Sequence, residues 1–131
     1  MPGHRSASAR ITSARQAPEL ALHVAVSRFL RLVLPVEATY TTFPLGGGGF
    51  GHGQRLKAMG TRAGWPDLQV LYSGRAFLIE LKSQDGRLSE EQVQTHRRIV
   101  SAGCPVVVAR TLEEVEAALR VWGVPMRGRV A

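Results

Sequence analysis

The sequence predicts one α/β domain built in three layers, a mixed central sheet with helices on both sides. Three observations carry that expectation. Apolar positions switch between helical stripes and short β-branched or aromatic runs, in the order helix, strand, strand, strand, helix, strand, helix. The chain has 131 residues, 44% of them hydrophobic, which suits one compact domain with tails. The fourth apolar run, Pro105-Val106-Val107-Val108-Ala109, is continuous, the pattern of a parallel strand buried on both faces.

Residues 1–17 are rich in Ser, Ala and Arg without an apolar period, and they read as a basic flexible tail. Pro18 is well placed as the first residue of a helix. Leu22, Val26, Phe29, Leu30 and Val33 then form one stripe, which should stop before Pro35. Residues 37–43, rich in Thr and Tyr, make the first strand.

Gly46-Gly47-Gly48-Gly49-Phe50-Gly51-His52-Gly53 is not a P-loop, because no Gly-Lys-Ser/Thr follows. It reads as a flexible connection leading into Arg55, Lys57 and Arg62: either a flap that contacts a polyanion, or a loop with solvated charges. Residues 68–72 and 76–82 are two strands joined at Ser73-Gly74. Ser89-Glu90-Glu91-Gln92 is a capping box that opens a helix ending near Gly103. On this helix His96, Arg97 and Arg98 form a basic side.

Thr111-Leu112-Glu113-Glu114 is a second capping box. Leu112, Val115, Leu119 and Trp122 are the stripe of the last helix, stopped by Gly123 and Pro125. The expected domain covers 18–123, with a short basic tail at 124–131.

The net charge of +7, mainly from arginine, predicts an anionic partner, nucleic acid before a membrane surface. The single cysteine, Cys104, excludes an intrachain disulfide and a cysteine-based zinc site, and reads as a buried free thiol. No apolar run approaches the ~20 residues that cross a bilayer. The first residues lack the apolar core of a secretion signal. A soluble protein of a reducing compartment is expected.

The chemistry concentrates in the hairpin. Asp67, Glu80 and Lys82 interrupt its apolar runs, and an uncompensated buried carboxylate is costly. A tight antiparallel turn brings Asp67 close to Glu80. Side-chain alternation sends Leu78, Glu80 and Lys82 to one face, and Phe77, Ile79 and Leu81 to the other. Two carboxylates and an ammonium at one spot suit a hard divalent cation and a phosphate; a structural ion pair at the sheet end is the other reading. Glu19, in the first turn of the first helix, either complements the helix dipole or leans over the sheet into this group. His23, one turn further on, either sits near this group or, the favoured reading, is a partly buried structural histidine; His52 reads as a substrate contact without a second metal ligand beside it.

Pro66-Asp67, a hairpin, then Glu80-Leu81-Lys82 resembles the PD-(D/E)XK signature. Three segments resemble the VRR-NUC branch of that superfamily in order and spacing: Gly60-Thr61-Arg62-Ala63-Gly64-Trp65-Pro66-Asp67-Leu68, Phe77-Leu78-Ile79-Glu80-Leu81-Lys82, and Gly86-Arg87-Leu88-Ser89-Glu90-Glu91-Gln92. The resemblance spans residues 18–122. It implies a restriction-endonuclease-like core, α-β-β-β-α-β-α, and metal-dependent hydrolysis of DNA leaving a 5′-phosphate and a 3′-hydroxyl.

Carried over by position, Asp67, Glu80, the Leu81 carbonyl and Glu19 would bind Mg²⁺ or Mn²⁺. Lys82 would orient the attacking water and offset developing charge. Gln92 would lie close to Lys82 and the phosphate, besides its capping role. Arg55, Lys57, Arg62, Arg87 and Arg97 are the expected nucleic-acid contacts. Stand-alone members resemble junction-resolving enzymes, which implies a homodimer on branched DNA such as a Holliday junction, in the cytoplasm of a bacterium or phage-infected host. A catalytically silent DNA-binding module and an RNA-directed nuclease are the alternatives.

Overall fold

The computed structural model describes residues 7–43 and 49–128, with the backbone alone described at 7–17 and 49–52. Residues 1–6 of the expected N-terminal tail, Gly46, Gly47 and Gly48, the His52 side chain and residues 129–131 lie outside the described residues. The elements are α1 (Ala7–Val33), β1 (Ala38–Thr42), α2 (Gly49–Ala58), β2 (Leu68–Tyr72), β3 (Arg75–Leu81), α3 (Glu90–Ser101), β4 (Val106–Ala109) and α4 (Leu112–Val121).

The strands form one mixed sheet in the order β1-β2-β3-β4, antiparallel across the first two pairs and parallel across β3 and β4. The β2–β3 hairpin turns at Ser73 (φ 52°) and Gly74 (φ 73°). Two consecutive positive φ angles are what a two-residue type I′ loop demands. That turn sets the register Leu68↔Ile79, so Asp67 stands beside Glu80 just beyond the ladder.

Strand alternation then sorts β3. Phe77, Ile79 and Leu81 join Val26, Phe29, Leu30 and Val33 of α1 and Val115 and Leu119 of α4 in the core. Trp122 stacks on Phe77 with ring centroids 4.9 Å apart. Glu80 instead meets α3, whose buried residues are Thr95, His96 and Ile99. The three layers are α1 and α4, the sheet, and α3.

Three local expectations change. First, α1 starts at Ala7, and Pro18 lies inside it. Ala7, Ala9, Arg10, Ala14, Arg15 and Ala17 are strong helix formers, and they carry the helix past a proline that removes one backbone bond.

Second, residues 49–53 of the expected glycine-rich loop and the basic segment that follows it form α2. Gln54, Arg55, Leu56, Lys57 and Ala58 supply propensity against glycines that cost about 1 kcal/mol each relative to alanine. Gly60, at φ 99°, ends the helix.

Third, β4 pairs only with β3 among the described residues and stands at the sheet edge, so Val106, Val107 and Val108 are half-buried rather than covered on both faces. A continuous β-branched run fits an edge strand that carries helix cover on part of its surface as well as it fits a central one.

The capping box of α3 is present in full: Gln92 N donates to Ser89 Oγ, and Ser89 N donates to Gln92 Oε1. At α4 only half forms. Glu114 N donates to Thr111 Oγ1, while the Glu114 carboxylate accepts from Arg110 N instead of reaching back to Thr111. No helix among the described residues is long and apolar enough to cross a membrane. Cys104 is free and half-buried.

Candidate active site

The site lies where β2 begins and β3 ends. Asp67 precedes β2, and its backbone carbonyl accepts from Phe43 N at 2.8 Å, which extends the β1–β2 ladder by one bond. Its carboxylate turns to the other neighbour: Leu81 N donates to Asp67 Oδ2 at 2.7 Å. The acid is thereby held over the end of β3 by a backbone donor, a geometry that does not depend on any flexible side chain.

Glu80 is 1% exposed. Its Oε1 lies 3.1 Å from His96 Nε2. Burial pushes its pKa up to about 9, helped by the neighbouring Asp67 carboxylate; Lys82 opposes the shift and Glu19 adds to it. Burial likewise holds the His96 pKa below its ordinary value, with Asp67 pulling the other way. At neutral pH the contact between them is therefore a hydrogen bond between an uncharged imidazole and a carboxylic acid, not an ion pair.

Helix α1 closes the site from the opposite layer. Glu19 Oε1 lies 3.9 Å from Lys82 Nζ, and His23 Nε2 lies 3.7 Å from Asp67 Oδ1. Glu19, His23 and Asp67 each offer one ligand atom within 4.8 Å of the others. Glu80 and Lys82, expected on one face of the strand, diverge: Glu80 faces α3, and Lys82, just past the strand end, reaches α1. Alternation rules hold only while the ladder does. Even so, the charges of Asp67, Lys82 and Glu19 all act on the Glu80 carboxyl.

An acid kept protonated by burial, and further by an adjoining carboxylate, is the condition that a bound cation relieves. The donors are oxygen-rich, with one imidazole, and they fit a hard divalent ion.

Gln92 is engaged at the α3 cap through its Oε1. Arg55 and Lys57 are exposed on α2, and Arg62 is exposed in the loop before Asp67. Arg87 is exposed in the loop before α3. Arg97 is exposed beside Val100 and Val106, whereas Arg98 joins Lys57 and Arg62 around one cleft.

Two further residues stand at the site, and the sequence pointed to neither of them there. His96, read as part of a solvent-facing basic side, is buried against Glu80. Its one-residue offset from Arg97 and three-residue offset from Ile99 put it on the inward stripe, a signal present in the helical period. Arg110 was singled out by nothing in the sequence. Its Nη1 donates to the carbonyls of Ser83 (2.6 Å) and Gly86 (2.5 Å), so it ties down the loop that follows Lys82.

No family model matches the chain, and no curated protein does. Solved structures do. One, described as a VRR_NUC domain, aligns with TM-score 0.54 and 19% identity, covering 79% of this chain and 95% of that one. Another, described as a VRR_NUC domain protein, aligns with TM-score 0.61 and 18% identity, covering 78% of this chain and 84% of that one. The chain has the fold of these domains, a mixed four-stranded sheet flanked by helices.

Proposed function

We propose that this chain, with its VRR_NUC fold, is a metal-dependent nuclease that hydrolyses DNA phosphodiester bonds at the Asp67–Glu80–Lys82 end of the hairpin. The observation that carries the reading is the buried Glu80 carboxyl beside Asp67, its pKa raised to about 9, with Lys82 and Glu19 within reach. Acids forced together at such cost in a molecule of net charge +7 fit a centre built for a cation and a polyanion better than a structural ion pair.

Asp67, Glu80, the Leu81 carbonyl and Glu19 would hold Mg²⁺ or Mn²⁺, with His23 at hand beside Asp67. When bound, the cation supplies charge that polarises the scissile phosphate and makes a nearby water more acidic. The chain's own residues do the rest. The Leu81 amide fixes the Asp67 carboxylate, and His96 fixes Glu80. Lys82 orients the attacking water and offsets charge building on the phosphate. Glu19 in turn holds Lys82 from across the sheet. Arg55, Lys57, Arg62, Arg87 and Arg97 are surface cations available to the DNA backbone, and Gln92 contributes by seating the first turn of α3.

A homodimer acting on branched DNA, Holliday-junction-like substrates included, extends the reading, because two such centres related by a twofold axis would cut two strands. A cytoplasmic setting in a bacterium or phage-infected host goes with it.

The test is a cleavage panel of linear duplex, single-stranded and four-way-junction DNA, and RNA, with and without Mg²⁺ or Mn²⁺. Metal-dependent cutting of DNA that is lost in Asp67→Ala supports the proposal. Binding without cutting would point to a silent module, and cutting confined to RNA to a ribonuclease; either would overturn it.

A further inference from the structure

We propose that the cleft between α2, the loop before Pro66 and α3 is a subsite for an unpaired nucleobase of the substrate strand, stacked on Trp65, with the adjoining phosphates on Lys57, Arg62 and Arg98. The proposal rests on the nuclease reading above and names the strand feature that the enzyme selects.

The cleft has a volume of about 710 Å³, and Lys57, Arg62, Trp65 and Arg98 are among its walls. A second, of about 490 Å³, includes Phe43, Arg62, Trp65 and Gln69. Gly60, Thr61, Arg62 and Trp65 are common to both, so the indole and the guanidinium stand on the wall between them. Among the described residues that line the larger cleft, three cations face one acid, Glu91, a balance that attracts a phosphate chain.

The two tryptophans differ in what they do with their π-faces. Trp122 is stacked on Phe77 at 4.9 Å and an interplanar angle of 21°, a face spent inside the core. Trp65 stands perpendicular to Phe43, at 6.4 Å and 82°, and remains half-buried at the cleft. Phe43 thus braces the indole without stacking on it. An aromatic face next to guanidinium and ammonium groups is the composition that holds single-stranded nucleic acid, since every base has a π-face to offer and duplex pairing hides it.

The wall is also preformed. Gly64 sits at φ +79°, and a Cβ there would lie 2.5 Å from the Glu91 carbonyl oxygen. Only glycine lets the loop lie against the first turn of α3. Thr95 Oγ1 donates to the Ala63 carbonyl at 2.7 Å and pins the same loop from the next turn. Trp65 is two residues before Asp67, and Phe43 is bonded to the Asp67 backbone, so both rings are tied to the frame of the candidate centre.

The experiment uses the full chain in EDTA, so that binding is read apart from cleavage. Trp122→Phe leaves Trp65 as the sole tryptophan. The probes are an oligothymidylate and an abasic oligonucleotide of the same length and charge. Saturable quenching of Trp65 emission by the first and not by the second is the expected result. In parallel, fluorescence anisotropy compares the native chain with Trp65→Leu, which keeps Trp122. The substitution should weaken oligothymidylate binding about tenfold and leave abasic binding unchanged.

Equal responses to both probes, or equal losses in Trp65→Leu, would overturn the proposal; should Trp122→Phe fail to fold, the anisotropy comparison decides alone. A chain that passes this test but never cuts would defeat the nuclease reading alone. A chain that cuts with metal but ignores the bases would defeat only this one.

Discussion

The two faces of β3 make opposite use of one strand. On the face toward α1 and α4, Phe77, Ile79 and Leu81 are all fully covered and join one hydrophobic cluster, with the Arg75 guanidinium over the edge of it at the Phe77 ring. On the face toward α3, two residues are covered as completely, Leu78 and Glu80, and one of them carries a titratable group. The first face supplies the stability of the molecule, through burial and close packing. The second gives some of it back, holding an acid in a place where its charged form is disfavoured. That separation, at a spacing of one residue, lets a small domain support a strained centre without a second core.

The largest way to break the contrast is to damage the apolar face. Phe77→Ala removes the ring stacked on Trp122 and should cost about 3–5 kcal/mol in urea unfolding, with cleavage falling only in proportion to the folded fraction. The polar end should behave in reverse. Lys82→Ala removes a partly exposed pair 3.9 Å from Glu19, worth at most about 1 kcal/mol of stability, yet metal-dependent cleavage should fall about 10²–10³-fold.

A subtler substitution sharpens the comparison. With its folded pKa raised to about 9 from 4.5, Glu80 keeps its proton in the folded chain over a range where the unfolded chain has lost it. The stability it contributes is complete below pH 4.5 and disappears as pH rises toward 9, with a slope of at most about 1.4 kcal/mol per pH unit. Glu80→Gln imitates the protonated acid. It should match the native chain within about 1 kcal/mol near pH 5, and it should lose this decline at higher pH. Chemical denaturation at several pH values reads the difference. His96, its pKa lowered, contributes in the other direction, with stability lost as pH falls below 6.5. It is present in both chains and cancels.

Much of this was legible in the residues themselves. The stripe of α1, the Ser73-Gly74 turn, the Ser89 cap and the stripe of α4 all follow local rules, and each forms where its pattern lies. Asp67 comes to Glu80 because a two-residue turn sets the register. Less legible was whatever depends on a partner distant in sequence. His96 belongs to an inward stripe, but only packing against β3 reveals that Glu80 waits there. Arg110 acts through three backbone carbonyls of residues 83–86, and backbone acceptors leave no trace in sequence. The start of α1 was hidden by Pro18, a residue that marks a helix beginning far more often than a helix interior.

Whether the crowded acids hold a cation decides what this end of the sheet is for. Mn²⁺ binding to the full chain, followed at pH 8 by the loss of the free-ion electron paramagnetic resonance signal, measures this directly when the native chain is set beside Asp67→Asn. Saturable binding that weakens at least tenfold in the variant is the result expected. Equal uptake by both chains, or none by either, would contradict it and leave Asp67 and Glu80 as neighbouring acids with no cation to serve.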